Sequence, residues 1–119
     1  MLMLLMGAGQ AEPPAADPDR WTWVNTGLEA AFVAATFVDV LTTNALLHDG
    51  ITEMNPLLGP RPSKARLYAT MLTANVLHCG AAYFLPARWR EAWQGLGLGV
   101  ELGIILHNES FYGSLKLTF

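Results

Sequence analysis

The chain has 119 residues, of which 14% are charged, and its 7 basic and 10 acidic side chains leave a formal net charge of −3. An ordinary soluble domain carries roughly a quarter charged residues, so too few are present here to cover a water-facing surface. The negative balance, without a basic stripe, argues against a nucleic-acid partner. The single cysteine, Cys79, excludes an intramolecular disulfide and a cysteine-rich metal cage.

In chain order, Met1 to Ala11 is a short apolar run ending in small residues, with Gly9 and Ala11 placed as a signal peptidase requires, although no Lys or Arg precedes it. Residues 1–20 are therefore expected to be a signal peptide and a flexible lead-in rich in Pro, Ala and Asp. Trp21 to His48 contains no Pro and no Gly beyond Gly27, and Asp49-Gly50 supplies a stop, which predicts a first helix. Gly50 to Ser63, with Pro56, Pro60 and Pro62, reads as a stiff irregular loop, and Ser63 is placed to cap a second helix. Lys64 to Leu85 is that second apolar stretch. The short turn Pro86 to Arg90 forces the third, Glu91 to about His107, to run antiparallel beside it. The alternating tail, residues 109–119, suits a strand or an interfacial arm.

Each apolar stretch approaches the roughly 20 helical residues a bilayer core requires. The expected fold is all-α: a three-helix antiparallel transmembrane bundle over residues 21–108, with the Pro-rich loop between helices one and two. That layout places Trp21, Trp23, Trp89 and Trp93, all four tryptophans, at one membrane face, where tryptophan is favoured. Arg61, Lys64, Arg66 and Lys116 lie toward the other face, against Arg20, Arg88 and Arg90, so positive-inside counting favours a cytoplasmic loop.

At about 100° per residue, Thr22, Asn25, Glu29, Thr36, Asp39 and Thr43 fall on one stripe of the first helix. Tyr68, Asn75, His78 and Cys79 share a face of the second. Gln94, Glu101 and Asn108 recur at heptad spacing on the third. Ionisable groups facing lipid cost at least a few kcal/mol, so the stripes should turn inward as a buried polar seam of Glu29, Asp39, Thr43, Asn75, His78 and Glu101. Helical rise sets Asp39 and Glu101 at one level, where two carboxyls would share a proton or hold a cation, and sets Glu29 near His78. The same groups read first as hydrogen-bonding glue between helices, ahead of a proton or ion pathway and of a catalytic or metal site. Gly95, Gly99 and Gly103 form a small-residue strip for helix packing, within the chain or between copies.

In the loop, Glu53, Asn55 and Pro56 combine an acid, an amide and a fixed φ, expected to cap helix ends at the membrane surface, with a ligand or metal role as the alternative. His48, His107 and Asn108 fall near this face, which leaves a metal open. No cofactor is implied, and no zinc-protease, nucleophile-elbow or phosphate-loop motif is present.

Asp39 to Thr43, Glu53 to Gly59, Pro62-Ser63, Leu85-Pro86, Trp89-Arg90, Trp93-Gln94, Val100-Glu101 and Asn108 together resemble a group of short proteobacterial and prophage membrane proteins of unassigned activity. These carry an Asp-x-x-x-Thr helix and a Glu-x-Asn-Pro-x-Leu-Gly loop. The resemblance covers most of the chain, with the Glu-x-Asn-Pro segment its most specific part, and it departs at the proline-rich Gly59 to Pro62. It implies a multi-pass protein of a bacterial inner membrane. Three functions stand: a non-enzymatic subunit or assembly and stabilising factor of a membrane complex, a holin-like pore-forming lysis protein, and a proton or cation site or intramembrane enzyme using buried carboxylates. The lipid bilayer is an expected partner in each, with a protein partner or a homo-oligomer.

Overall fold

The computed structural model describes residues 12–113 and 115–119; the expected signal peptide over Met1 to Ala11 lies outside them. Its elements are α1 (Trp23–His48), α2 (Lys64–Phe84) and α3 (Ala87–Glu109), and among the described residues there is no strand. The all-α architecture of three helices is thus as expected. Contacts join Glu29 to His78 and Thr36 to Asn75, so α2 runs antiparallel to α1. Contacts joining Asn25 to Gln94 and Asp39 to Asn108 make α3 parallel to α1.

The helix boundaries have local causes. Thr22 and Asn25 form a reciprocal capping box at the start of α1. The chain leaves α1 through Gly50, whose φ of 84° suits glycine. Ser63 accepts from the Arg66 amide and caps α2 as its sequence position suggests. Helix α3 starts four residues earlier than the composition suggests, at Ala87, because the Pro86 carbonyl accepts from the amides of Trp89 and Arg90. Proline at a helix start sacrifices no intrahelical bond, so the expected turn is itself helical.

Two plugs close the bundle. At the Trp end, the buried Arg90 guanidinium donates to the carbonyls of Ala82 and Leu85, each at 2.9 Å, and of Asp19 at 3.1 Å, and it lies over the Trp21 ring. It satisfies the C-terminal carbonyls of α2 and ties down the lead-in. At the loop end, Leu58 is buried against Val40 and Leu67. There the tail folds back onto α1 as an irregular arm: Thr118 N donates to Leu41 O, Asn44 Nδ2 donates to Thr118 O, and Lys64 Nζ donates to Phe119 O. Lys116 pairs with Asp49, and the Tyr112 hydroxyl lies 2.8 Å from Asp49 Oδ2.

Each plug has a measurable consequence. Replacing Arg90 with Leu leaves those carbonyls unanswered and should cost about 2–4 kcal/mol, read as an earlier unfolding transition in detergent. The Asp49 carboxyl is held well below its ordinary 3.8 by hydrogen bonds from Lys116, Tyr112 and His48. Its contribution is complete above about pH 4 and lost as the pH falls. The Tyr112 hydroxyl is pushed up to about 12 by desolvation and by its bond to Asp49, so its contribution is complete below pH 10 and lost as the pH rises toward 12. Amide exchange at Thr118, corrected for its intrinsic pH dependence, should therefore show a closed tail between about pH 4 and 10 and an opening tail on either side.

Candidate functional site

The polar side chains of the three helices meet along the bundle axis in successive layers. Nearest the Trp end, Gln94 is completely buried. Its Nε2 donates to Glu29 Oε1 and to Asn25 O, both at 3.0 Å, while its Oε1 accepts from Asn25 Nδ2. The second oxygen of Glu29 lies 3.2 Å from His78 Nδ1, so one carboxylate joins α2 to α3 across α1. The His78 imidazole is stacked between Phe32, at 3.8 Å between centroids, and Trp93, at 5.2 Å. Trp93 donates its indole N–H to His78 O, so this tryptophan walls the site as well as belonging to the aromatic end.

One to two turns further, Asn75 Nδ2 donates to Thr36 Oγ1 at 3.0 Å, and Thr36 Oγ1 lies 2.8 Å from Val33 O. The last layer gathers Asp39, Thr42, Thr43 and Asn108. Asn108 Nδ2 faces Thr42 Oγ1 at 2.9 Å and both Thr43 Oγ1 and Asp39 Oδ1 at 3.2 Å. Thr43 also reaches Asp39 Oδ1, and the Glu101 carboxyl lies within hydrogen-bonding reach of Asp39. The structure therefore brings Glu29 to His78, Asp39 to Thr43 and Glu101, and Asn75 to Thr36. Among the buried side-chain atoms described, His78 Nε2, Glu101 Oε2 and Glu109 Oε2 have no partner.

Beside this last layer a cleft of about 620 Å³ opens between the three helices and the loop, with Asp39, Glu53, Glu101, Asn55, His107 and Asn108 on its walls among apolar side chains. Glu53 and Asn55 have a different task from the one expected. Glu53 Oε1 accepts from Asn55 N at 2.7 Å and Asn55 Oδ1 from Leu57 N at 3.0 Å. Both side chains thus serve the loop's own amides, and at this end of the bundle the start of α2 is capped by Ser63. Pro56 carries that turn, and the Asn55 carbonyl closes it by accepting from Leu58 and Gly59. No three His, Cys, Asp or Glu side chains among the described residues converge to hold a metal ion.

The glycines of α3 divide in an unexpected way. A Cβ on Gly95, Gly99 or Gly103 would meet nothing within the chain, whereas a Cβ on Gly97 would overlap the His78 ring. The close approach of α2 and α3 thus uses Gly97, outside the expected strip, and the strip itself faces outward. Arg90, Thr42 and Gly97 are the contributors that pattern reasoning overlooks. Tyr68 joins the apolar cluster at the loop end and Cys79 is exposed, so these two leave the polar face assigned to α2.

No protein-family model, curated protein or solved structure matches the chain.

The glycine geometry gives opposite expectations at neighbouring positions. Gly97→Ala should destabilise by about 1–3 kcal/mol, because His78 is stacked on both faces and tied to Glu29 and cannot swing aside. Ala at Gly95, Gly99 or Gly103 should stabilise each helix by about 0.5–1 kcal/mol through backbone entropy. Denaturation of the four single variants in detergent checks both signs.

Proposed function

We propose that all three helices cross a membrane and that the chain is a non-enzymatic subunit or stabilising factor of a membrane complex in a bacterial inner membrane. Among the described residues, α1 alone is long and apolar enough to cross by length and composition, and a buried core helix would pass the same test. The carrying observation is the exterior of the other two. Leu72, Val76 and Leu77 of α2 and Leu96, Val100 and Leu106 of α3 are each more than half exposed, while Asn25, Glu29, His78, Gln94 and Asn108 are buried. Water as solvent would select the reverse arrangement; hydrocarbon selects this one. Polar residues and five glycines dilute α2 and α3 below what a lone span requires, and a span whose polar stripe is covered by neighbours tolerates that dilution.

The subunit reading is supported by the internal closure of the seam, which uses most of its polar atoms as bonds between helices. A second reading, a proton or cation site, is favoured on its proton side by the carboxyls of Asp39 and Glu101 on one cleft, since the carboxyls there do not converge to hold a metal ion. The seam and the cleft assign different work to Asp39. Asp39→Asn with Glu101→Gln should preserve assembly if the pair is glue, and should abolish an ion-dependent response with assembly intact if it is a site.

Cys79 tests the membrane reading without mutagenesis. It is exposed in the fold, yet in intact vesicles a polar maleimide should leave it unlabelled until detergent dissolves the bilayer. Rapid labelling in sealed vesicles would show that α2 does not cross. Purified in mild detergent, the chain should co-elute with a larger stoichiometric membrane assembly; elution alone or as a homo-oligomer would overturn the subunit reading.

A further inference from the structure

The last layer of the seam holds a contact that two ionised groups would not make. Asp39 of α1 and Glu101 of α3 lie within hydrogen-bonding reach of each other. An ionised carboxylate only accepts, so a bond between the two requires a proton on one of them. Their other neighbours decide which. Asp39 Oδ1 takes the Asn108 amide at 3.2 Å and the Thr43 hydroxyl at 3.3 Å, the surroundings of an acceptor that carries the charge. No donor reaches the buried Oε2 of Glu101. If ionised, Glu101 would hold charge on a buried oxygen that nothing answers. If protonated, it needs no donor there, because that oxygen is then either the O–H given to Asp39 or an uncharged carbonyl oxygen. The remaining titratable groups on the cleft are Glu53 of the loop and His107 of α3, α2 brings no ionisable side chain to it, and no Lys or Arg among the described residues lines it to balance a second negative charge on the pair.

We propose that Asp39 and Glu101 form a one-proton latch between α1 and α3: Glu101 carries the proton and donates it as a hydrogen bond to Asp39, and the latch opens when that proton passes to water. Both residues line the cleft at the loop end, which gives the proton its outlet. Its loss removes the bond and sets two carboxylates face to face, which drives α3 from α1 at this level. At the Trp end the bonds of Gln94 to Glu29 and Asn25 involve neither member of the pair and hold. The loop end thus tightens or loosens with the acidity of the side it faces, while the other end stays closed.

The inference rests on the proton-site reading above, which the double variant tests through an ion-dependent response; infrared spectra read the proton on the side chain itself. The full chain is placed in lipid nanodiscs with either its glutamates or its aspartates isotope-labelled at the carboxyl carbon, and the pH is raised in steps. At about pH 6, where exposed carboxyls are ionised, a protonated-carboxyl band should remain. It should move with the glutamate label, stay put with the aspartate label, and be missing from Glu101→Gln. Across the step in which the band is lost, protection of the Asn108 side-chain amide against hydrogen exchange, corrected for its intrinsic pH dependence, should fall at least about tenfold, the effect of losing one hydrogen bond to a charged group. Protection of Gln94 should not change. In Glu101→Gln the amide stands in for the protonated acid and donates to Asp39, so the fold is kept and the Asn108 step disappears. Absence of the band in the wild-type chain at about pH 6, a band that follows the aspartate label, or an Asn108 step that survives Glu101→Gln and so belongs to Glu53 or His107 would overturn the latch. If band and protection behave as expected while the double variant leaves every ion-dependent response intact, the latch stands and the proton-site reading fails.

Discussion

The carboxylate of Glu29 is the point on which the three helices agree. One of its oxygens takes the Gln94 amide of α3 and the other faces the His78 imidazole of α2, so rotating or sliding either helix breaks a buried bond to a charged group. Such bonds are among the stronger ones, about 1.5–3 kcal/mol each, and a buried carboxylate left without them is worse still. Dispersion between apolar side chains is indifferent to small slips. The polar bonds therefore select the register, and packing fills in around it. Gly97 is a consequence of that choice, since the imidazole that reaches Glu29 needs the space a side chain would occupy.

Much of this seam is legible from periodicity alone. A stripe that repeats at helical spacing, in a chain with few charges, has to point inward, and the rise per residue pairs Glu29 with His78 and Asp39 with Glu101 by arithmetic. Other parts leave no trace in a pattern. Arg90 is a basic residue in a turn between two apolar stretches, where a solvated charge is the ordinary expectation; only the arrival of the α2 carbonyls makes it a plug. Gly95, Gly99 and Gly103 catch the eye because they repeat every four residues, yet the contact uses Gly97, whose role comes from a ring on another helix. Glu53 and Asn55 are recognisable as a turn-forming pair, but which amides they serve depends on the path of the loop, with Ser63 capping the start of α2. The tail's alternation suggests a strand, and among the described residues no strand is there to pair with it: it meets the loop-end turn of a helix, where it makes isolated bonds.

The seam is chemically asymmetric along its length. Toward the Trp end, amides answer the Glu29 carboxylate and Arg90 saturates the carbonyls of α2, so that end is sealed by neutral and cationic donors. Toward the loop end, Asp39, Glu101 and Glu53 gather round a cleft with Asn108 and the threonines as their donors, and Glu101 keeps one oxygen without a partner. The cleft lined by carboxyls thus lies at the loop end, while toward the Trp end the polar atoms of Gln94 and Glu29 are bonded to one another, to Asn25 and to His78.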